Sequence, residues 1–131
     1  MSSLLTPQRR RGYEILDDPA VDDKVRARSL ADVARANTIF GGSHAVLAEL
    51  ESALAASGEK SVSLLDVGTG IGDIPAHVSD VWSARGLTVT TFGVEISACL
   101  LHQARASGLL PLCADARALP NASKSVDIVI C

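Results

Sequence analysis

Apolar positions in the first part of the chain repeat at helical spacing. One amphipathic face begins after the acid pair Asp22-Asp23 and ends at Gly41-Gly42, and a second ends at Gly58. Ser43 stands where a side-chain N-cap of the second helix is expected. The apolar positions of the two faces are Val25, Leu30, Val33, Ala34 and Ile39, then Val46, Leu47, Leu50 and Leu54. The pattern predicts two helices ahead of the first strand.

From residue 62 onward, short apolar runs alternate with amphipathic stretches. The runs 62–67, 87–94, 109–116 and 126–131 have the aliphatic and β-branched character of buried strands. One helical stripe between them ends at Gly86, with Pro75 in its first turn; its apolar residues are Ile74, Val78, Val81 and Trp82. Another helix follows Ser97, its expected N-cap, and ends at Gly108. The order helix–helix–βα–βα–β–loop–β predicts an α/β fold with a mostly parallel sheet.

The same pattern predicts how the chain is organised. We expect an N-terminal helical cap segment over residues 1–58, able to lie across the mouth of a site, and a βαβ unit over residues 59–131. A doubly wound sheet continues past its fourth strand, whereas this chain stops there. We therefore expect the C-terminal half of the domain to be missing. Residues 126–131 would then form an exposed edge through which the chain could self-associate.

Composition narrows the class of protein. The 131 residues suffice for one domain, and 47% hydrophobic with 21% charged residues is a globular balance. A net charge of −3 does not favour a nucleic-acid partner, and Arg9-Arg10-Arg11 is interpreted as a solvated charge run. No apolar run approaches the ~20 residues of a membrane span. Three widely spaced cysteines, without a secretory signal, favour a reducing, cytoplasmic location.

The candidate chemistry begins at the turn after the first strand. Asp66 is followed by glycines at alternate positions, Gly68, Gly70 and Gly72. Such spacing is typical of a tight strand-to-helix turn whose backbone approaches a ligand. The dinucleotide fingerprint G-x-G-x-x-G would need a glycine at Asp73. A carboxylate at Asp66 suits an ammonium group better than a pyrophosphate, although a purely structural turn remains an alternative.

Two further acids stand at strand ends. Glu95 follows the second strand and Asp115 the third, so both join Asp66 at the carboxyl edge of the sheet, where open α/β folds bind ligands. Glu95 could accept from two vicinal ribose hydroxyls, and Asp115 from an exocyclic amine. Each acid taken singly is also compatible with a solvent-exposed loop. Three acids at three successive strand ends together favour a nucleoside-type ligand.

With these motifs the sequence resembles the class I S-adenosylmethionine-dependent methyltransferases, especially the small-molecule group with the ubiquinone and menaquinone methyltransferases. The matching stretches are LLDVGTGIGDIP, GVEIS and CADARALPNASKSVDIVIC, and more weakly ARANTIFGGSHAVL, which is similar to the substrate-side helical cap of bacterial members. The resemblance implies a Rossmann-like fold, S-adenosyl-L-methionine as cofactor and methyl transfer to a small-molecule acceptor. Because we expect the second half of the fold to be missing, we also expect this chain alone to be inactive.

The resemblance also implies roles for individual residues. Asp66 would serve the methionine ammonium group, Glu95 the ribose diol and Asp115 the adenine amine. Gly68 and Gly70 would admit the ligand, Ile96 would pack on the adenine face, and the Ala116 amide would meet a ring nitrogen. The predicted cofactor-binding set is Asp66, Gly68, Thr69, Gly70, Gly72, Glu95, Ile96, Asp115 and Ala116. Thr69 stands where many members carry Cys or another small residue.

Catalytic residues and the methyl acceptor stay open at this level. The histidines His44, His77 and His102 have no metal-ligand spacing, and His77 and His102 are expected on helix surfaces. His44 follows the Gly41-Gly42 turn and could reach an acceptor. Two alternatives stay open: an NAD-dependent enzyme of the same fold, and a binding module that retains the fold without turnover.

Overall fold

The computed structural model describes residues 20–55 and 58–131. Arg9-Arg10-Arg11 and the rest of the first 19 residues of the predicted cap segment lie outside the described residues. Within these two ranges, four helices and four strands follow one another in the predicted order. Their bounds are α1 Asp23–Ile39, α2 Gly42–Ala55, β1 Ser61–Val67, α3 Asp73–Ala84, β2 Thr88–Glu95, α4 Ala98–Ala106, β3 Leu110–Cys113 and β4 Ile128–Ile130.

The strands form one parallel sheet in the order β3-β2-β1-β4. The register pairs Val67 with Val94 and Glu95 with Cys113, so the carboxyl ends of β1, β2 and β3 meet at one edge. Asp127 fixes β4 to β1, because its carboxylate accepts hydrogen bonds from the Ser63 amide at 2.8 Å and the Ser63 hydroxyl at 2.6 Å. The predicted α/β fold with a parallel sheet is confirmed.

The core lies between the sheet and the helices that follow its strands. Trp82 and Val78 of α3 pack with Leu64 of β1, and all three side chains are buried. Leu47 and Leu50 of α2 belong to the same cluster. The second predicted helix of the cap segment therefore contributes to the core of the βαβ unit.

The first helix is attached differently. Asp22 caps α1 by accepting from the Lys24 amide at 2.9 Å, but α1 contributes no buried residue. Val25, Val33 and Ile39 of its predicted apolar face are exposed. The loosely amphipathic pattern therefore forms a helix that packs on the remainder of the molecule and buries little of its own surface.

Several element ends differ from the sequence-based prediction. Ser43 lies inside α2, which begins at Gly42, so it is not the N-cap. Ser97 occupies the N-cap position of α4, but its side chain makes no capping hydrogen bond. The third strand covers four residues, because the chain leaves the sheet after Cys113, and the fourth covers three, because it begins only at Ile128.

The described residues contain neither a candidate membrane-spanning helix nor a candidate metal cluster. Within residues 20–55 and 58–131, no helix is both long and apolar enough to cross a bilayer. No group of three or more His, Cys, Asp or Glu side chains in those ranges is placed to hold a metal ion.

Candidate functional site

The turn between β1 and α3 is built on left-handed backbone. Gly68, Gly70 and Gly72 have φ angles of +79°, +56° and +76°, which side-chain-bearing residues rarely adopt. The turn is tied to the end of β2, since the Gly68 and Thr69 amides donate to the Val94 carbonyl at 2.8 and 3.0 Å. The glycine spacing read from the sequence thus has a backbone reason.

The three glycines nevertheless differ in what surrounds them. A Cβ atom at Gly68 would meet no protein atom within 4 Å, whereas one at Gly70 would lie 3.6 Å from the Leu30 side chain of α1. A Cβ at Gly72 would lie 3.1 to 3.2 Å from Leu109 and Ala104. Gly68 is therefore the glycine that faces open space, Gly70 lies beneath α1, and Gly72 has a packing reason of its own.

The Thr69 side chain packs against a glycine in the neighbouring strand β2. The Thr69 side chain is buried, and a Cβ atom at Gly93 would come within 2.7 Å of its methyl carbon. Because its amide donates to Val94 and its methyl group packs on Gly93, Thr69 shapes the turn.

Glu95 connects two elements of the site. Its Oε1 accepts from the Ile96 amide at 2.8 Å and the Ser97 amide at 3.0 Å, so this carboxylate satisfies two amides ahead of α4. Its Oε2 accepts from the Gly70 amide at 3.2 Å. The carboxylate is fixed in orientation, and one of about four lone-pair sites stays free for a ligand donor.

Asp66 sits at the end of β1 with only 8% of its surface exposed. Burial raises the pKa of its carboxyl group; the nearby Thr69 hydroxyl opposes the rise without forming a hydrogen bond of ordinary geometry, and the Asp73 and Glu95 carboxylates add to it. A buried carboxylate beside two others is stabilised by a cation. The electrostatics of this end of the site therefore favour a positively charged ligand group.

Asp115 follows β3 and is paired within its own loop. Its carboxylate accepts from the Arg117 amide at 2.9 Å and from the guanidinium at 2.6 to 3.1 Å. The Arg117 guanidinium, with help from the amide, lowers the pKa of Asp115 to about 2. Asp115 is thus an ionised hydrogen-bond acceptor. Its present partner, the Arg117 side chain, is exposed.

Two cavities flank the turn and meet at Gly68. The first, of about 180 Å³ and called the β2–β3 cavity, is lined by Gly68, Val94, Glu95, Ile96, Ala114, Asp115 and Ala116. The second, of about 220 Å³ and called the α1 cavity, includes Leu30, Val33, Asn37, Asp66, Gly68, Thr69, Gly70, Asp73 and Cys131 in its lining. Of the predicted site residues, Gly72 is the one that lines neither cavity.

The α1 residues of this lining were missed by sequence reasoning. Leu30, Val33 and Asn37 share one face of α1, and the apolar pattern signalled the first two. Nothing in the sequence indicated Asn37, or that Arg117 would pair with Asp115, because both depend on how loops and helices pack.

Two of the three histidines lie elsewhere than expected, whereas His102 is exposed on α4, as predicted. His44 of α2 is exposed and its ring contacts that of His77 in α3, with centroids 5.4 Å apart. His77 is half-buried, rather than a surface residue, and its Nε2 is buried without a hydrogen-bond partner. His44 lines neither the β2–β3 cavity nor the α1 cavity.

Solved structures of known proteins share this architecture. No protein-family model and no curated protein matches the sequence. Among solved structures, the chain is similar to the plantazolicin methyltransferase BpumL, crystallised with a desmethylPZN analogue and SAH, at 21% identity and a TM-score of 0.64 over 88% of this chain and 42% of that one. It is also similar to a putative S-adenosyl-L-methionine-dependent methyltransferase from Methanococcus maripaludis, at 14% identity and a TM-score of 0.58 over 94% and 52% of the two chains.

A third similar structure is magnesium protoporphyrin IX methyltransferase from Synechocystis with bound SAM, at 19% identity and a TM-score of 0.53 over 89% of this chain and 51% of that one. The chain therefore has the Rossmann-like α/β fold of these methyltransferases. It spans about half, or less, of the length of each of the three structures.

Proposed function

We propose that this chain binds S-adenosyl-L-methionine at the carboxyl edge of its sheet and serves methyl transfer. The observation that carries the proposal is the junction of the two cavities at Gly68, with acids at the ends of β1, β2 and β3 around it. One cavity offers acceptors to the hydroxyls and the amine of a nucleoside, and the other offers carboxylates to a cation. That combination matches a ligand with adenosine at one end and an ammonium and a sulfonium at the other.

The β2–β3 cavity would hold the adenosine part. The free lone pair of Glu95 would accept one ribose hydroxyl, and the 3.2 Å bond from Gly70 can be exchanged for the second. Ile96, which is 69% exposed, offers an apolar surface to the adenine ring, and Asp115 offers an acceptor to its amine. The Ala116 amide would meet a ring nitrogen.

The α1 cavity would hold the methionine part. Asp66 would receive the ammonium group, while Gly68 and Gly70 let the backbone approach the ligand. Thr69 and Gly72 would act by shaping the turn. The cofactor supplies an activated methyl group, and the residues of this chain contribute binding and orientation, which account for much of the catalysis of an in-line displacement.

The acceptor is proposed to be a small molecule, as in the ubiquinone and menaquinone group that the motifs resemble. BpumL and the Synechocystis enzyme support that class, since the molecules in their names are plantazolicin and magnesium protoporphyrin IX. We also propose a cytoplasmic location, on the cysteine usage. All three cysteines are free and exposed, which suits a reducing compartment.

An NAD-dependent enzyme of the same fold is the less favoured proposal. Asp73, the first residue of α3, puts a carboxylate where the dinucleotide fold receives its pyrophosphate. Asp66 would add a second carboxylate close by, so both acids oppose an anion and favour a cation.

Isothermal titration of the chain with S-adenosylhomocysteine and, separately, with NADH tests the proposal. We expect S-adenosylhomocysteine alone to bind. Glu95→Ala should weaken this binding by ~1–3 kcal/mol, the cost of an unmade charge-assisted hydrogen bond. Asp80→Ala, which removes an exposed carboxylate from α3, is the matched control and should change nothing. NADH binding, or full affinity in folded Glu95→Ala, would contradict the proposal.

Whether this chain transfers a methyl group is a separate question from whether it binds the cofactor. A binding module of this fold would bind S-adenosylhomocysteine yet transfer no methyl group, and we propose that this chain alone behaves in that way. Incubation with methyl-labelled S-adenosylmethionine and candidate quinol, phenol and porphyrin acceptors measures it. Label transfer above a Glu95→Ala control would contradict this part while leaving the cofactor proposal intact.

A further inference from the structure

The α1 cavity contains a polar side chain that the glycine motif does not include. Asn37 of α1 lines this cavity together with Asp66 and Asp73. Its Nδ2 donates to Asp73 Oδ2 at 3.5 Å, the limit of a hydrogen bond. A partly buried amide with so long a bond loses little when a better acceptor arrives.

The Asn37 side chain is held in this position by the start of α2. A Cβ atom at Gly42 would lie 3.1 Å from Asn37 Oδ1, 3.4 Å from its Cα and 3.5 Å from its Cγ. The φ of Gly42 is not in the left-handed region, so its backbone does not demand glycine. The space left by the missing side chain is what admits the Asn37 carboxamide, and this gives the Gly41-Gly42 turn a role beyond ending α1.

Among the side chains around Asn37, hydrogen-bond acceptors outnumber hydrogen-bond donors. Asp66 and Asp73 are acceptors when ionised, and the Thr69 hydroxyl lies against Asp66. Asn37 Nδ2 is therefore the side-chain amide that the described lining of the α1 cavity offers to an incoming acceptor. A zwitterionic amino-acid group carries an ammonium that the acids can receive and a carboxylate that they repel.

We propose that Asn37 binds the carboxylate of the ligand's amino-acid group, exchanging its long contact with Asp73 for it, and that Gly42 is the positioning residue for this contact. The inference rests on the proposed function, because it presumes an amino-acid group in the α1 cavity. It adds a binding residue from the helical segment and makes α1 a determinant of ligand selectivity.

The contributions of the ammonium and the carboxylate can be separated with three ligands that differ in which of these groups they carry. S-adenosylhomocysteine carries both the ammonium and the carboxylate, its decarboxylated analogue 5′-(3-aminopropylthio)-5′-deoxyadenosine carries the ammonium alone, and 5′-methylthioadenosine carries neither. Titration of the full chain with each should show that Asn37→Ala weakens S-adenosylhomocysteine about tenfold, the scale of one hydrogen bond. The other two ligands should keep their affinity.

Two further variants change the charge at residue 37 and the position of the Asn37 side chain. Asn37→Asp should weaken S-adenosylhomocysteine more than Asn37→Ala does, yet strengthen the ammonium-only analogue, because a further carboxylate repels one group and attracts the other. Gly42→Ala, which suits a helix, should weaken S-adenosylhomocysteine by displacing Asn37 and should add nothing to Asn37→Ala. Thr38→Ala is the control, since the exposed Thr38 hydroxyl donates to the Ala34 carbonyl of its own helix.

The outcomes distinguish this inference from the function on which it rests. Wild-type chain that binds S-adenosylhomocysteine while folded Asn37→Ala binds it equally well, or loses all three ligands in parallel, overturns the role of Asn37 alone. Wild-type chain that binds none of the three overturns both proposals. Should Asn37→Ala lose its helical circular dichroism, the Asn37→Asp sign reversal and the Gly42→Ala effect still decide the question.

Discussion

At the scale of single residues, Asp66 shows a conflict between stability and binding. Its pKa is raised chiefly by burial, so the folded chain binds a proton there more readily than the unfolded chain does. Stability from this group is fully present below the ordinary carboxyl pKa and is lost as the pH rises through the folded value. The ionised form useful for binding a cation is thus the form that destabilises the fold.

Asp66→Asn should therefore raise the melting temperature at neutral pH and weaken S-adenosylhomocysteine by ~1–3 kcal/mol. The gain in melting temperature should shrink as the pH falls through the raised pKa of Asp66, because the wild-type carboxyl group then becomes protonated in the folded chain. Thermal unfolding of both proteins at several pH values, followed by circular dichroism, measures it. A variant that is less stable at neutral pH would show that the ionised carboxylate has partners that outweigh its desolvation.

Asp115 has the opposite electrostatic environment. The Arg117 guanidinium holds its pKa at about 2, so the pairing stabilises the loop above the ordinary carboxyl pKa and is lost as the pH falls through about 2. Arg117→Ala should move the pKa of Asp115 up toward 3.8, its ordinary value. Carbon-13 chemical shifts of the Asp115 carboxyl group against pH test this. Asp127, whose pKa is lowered by Ser63 instead, is the internal reference and should not move.

At the scale of elements, the glycine turn depends on a partner in the neighbouring strand. A Cβ atom at Gly93 would clash with Thr69 at 2.7 Å and with Leu109 at 2.9 Å, so Gly93→Ala should destabilise the fold by ~1–3 kcal/mol. Adding Thr69→Ser, which removes the methyl group, should recover part of that loss. Urea unfolding of the single and double variants measures it, and full additivity of the two changes would contradict the contact.

At the scale of the whole molecule, β4 is an edge of the described sheet. Val129 is 56% exposed there, and an apolar cavity of about 520 Å³ beside it is lined by Val46, Leu50 and Ile130. An apolar edge strand is a template for pairing with another chain. We predict that the 131-residue chain self-associates through residues 126–131 as its concentration rises.

Sedimentation velocity over a range of concentrations tests this prediction. Val129→Lys should shift the chain toward monomer, because charge on an edge strand opposes pairing. Leu110→Lys is a matched control, since Leu110 is 50% exposed on β3 at the opposite edge. A wild-type chain that stays monomeric throughout, or an equal effect of the two substitutions, would contradict an interface at β4.

The sequence by itself determined the elements, their order and the edge at which Asp66, Glu95 and Asp115 meet. These features follow from short-range periodicity and from the geometry of parallel strands, whose carboxyl ends share one edge. The glycine spacing likewise predicted the turn, because left-handed backbone is a local requirement. Element ends were less predictable, since Ser43 lies inside α2 and the Ser97 side chain makes no capping hydrogen bond.

Only the tertiary structure decided how these residues are used. The bond from Gly70 to Glu95, the contact of Asn37 with Asp73 and the packing of Thr69 on Gly93 join residues 24 to 36 positions apart. Whether Asp66 is buried and α1 exposed depends on the same long-range packing. Local patterns contain no information on such distances, because burial and contact are set when helices and strands pack around a common core.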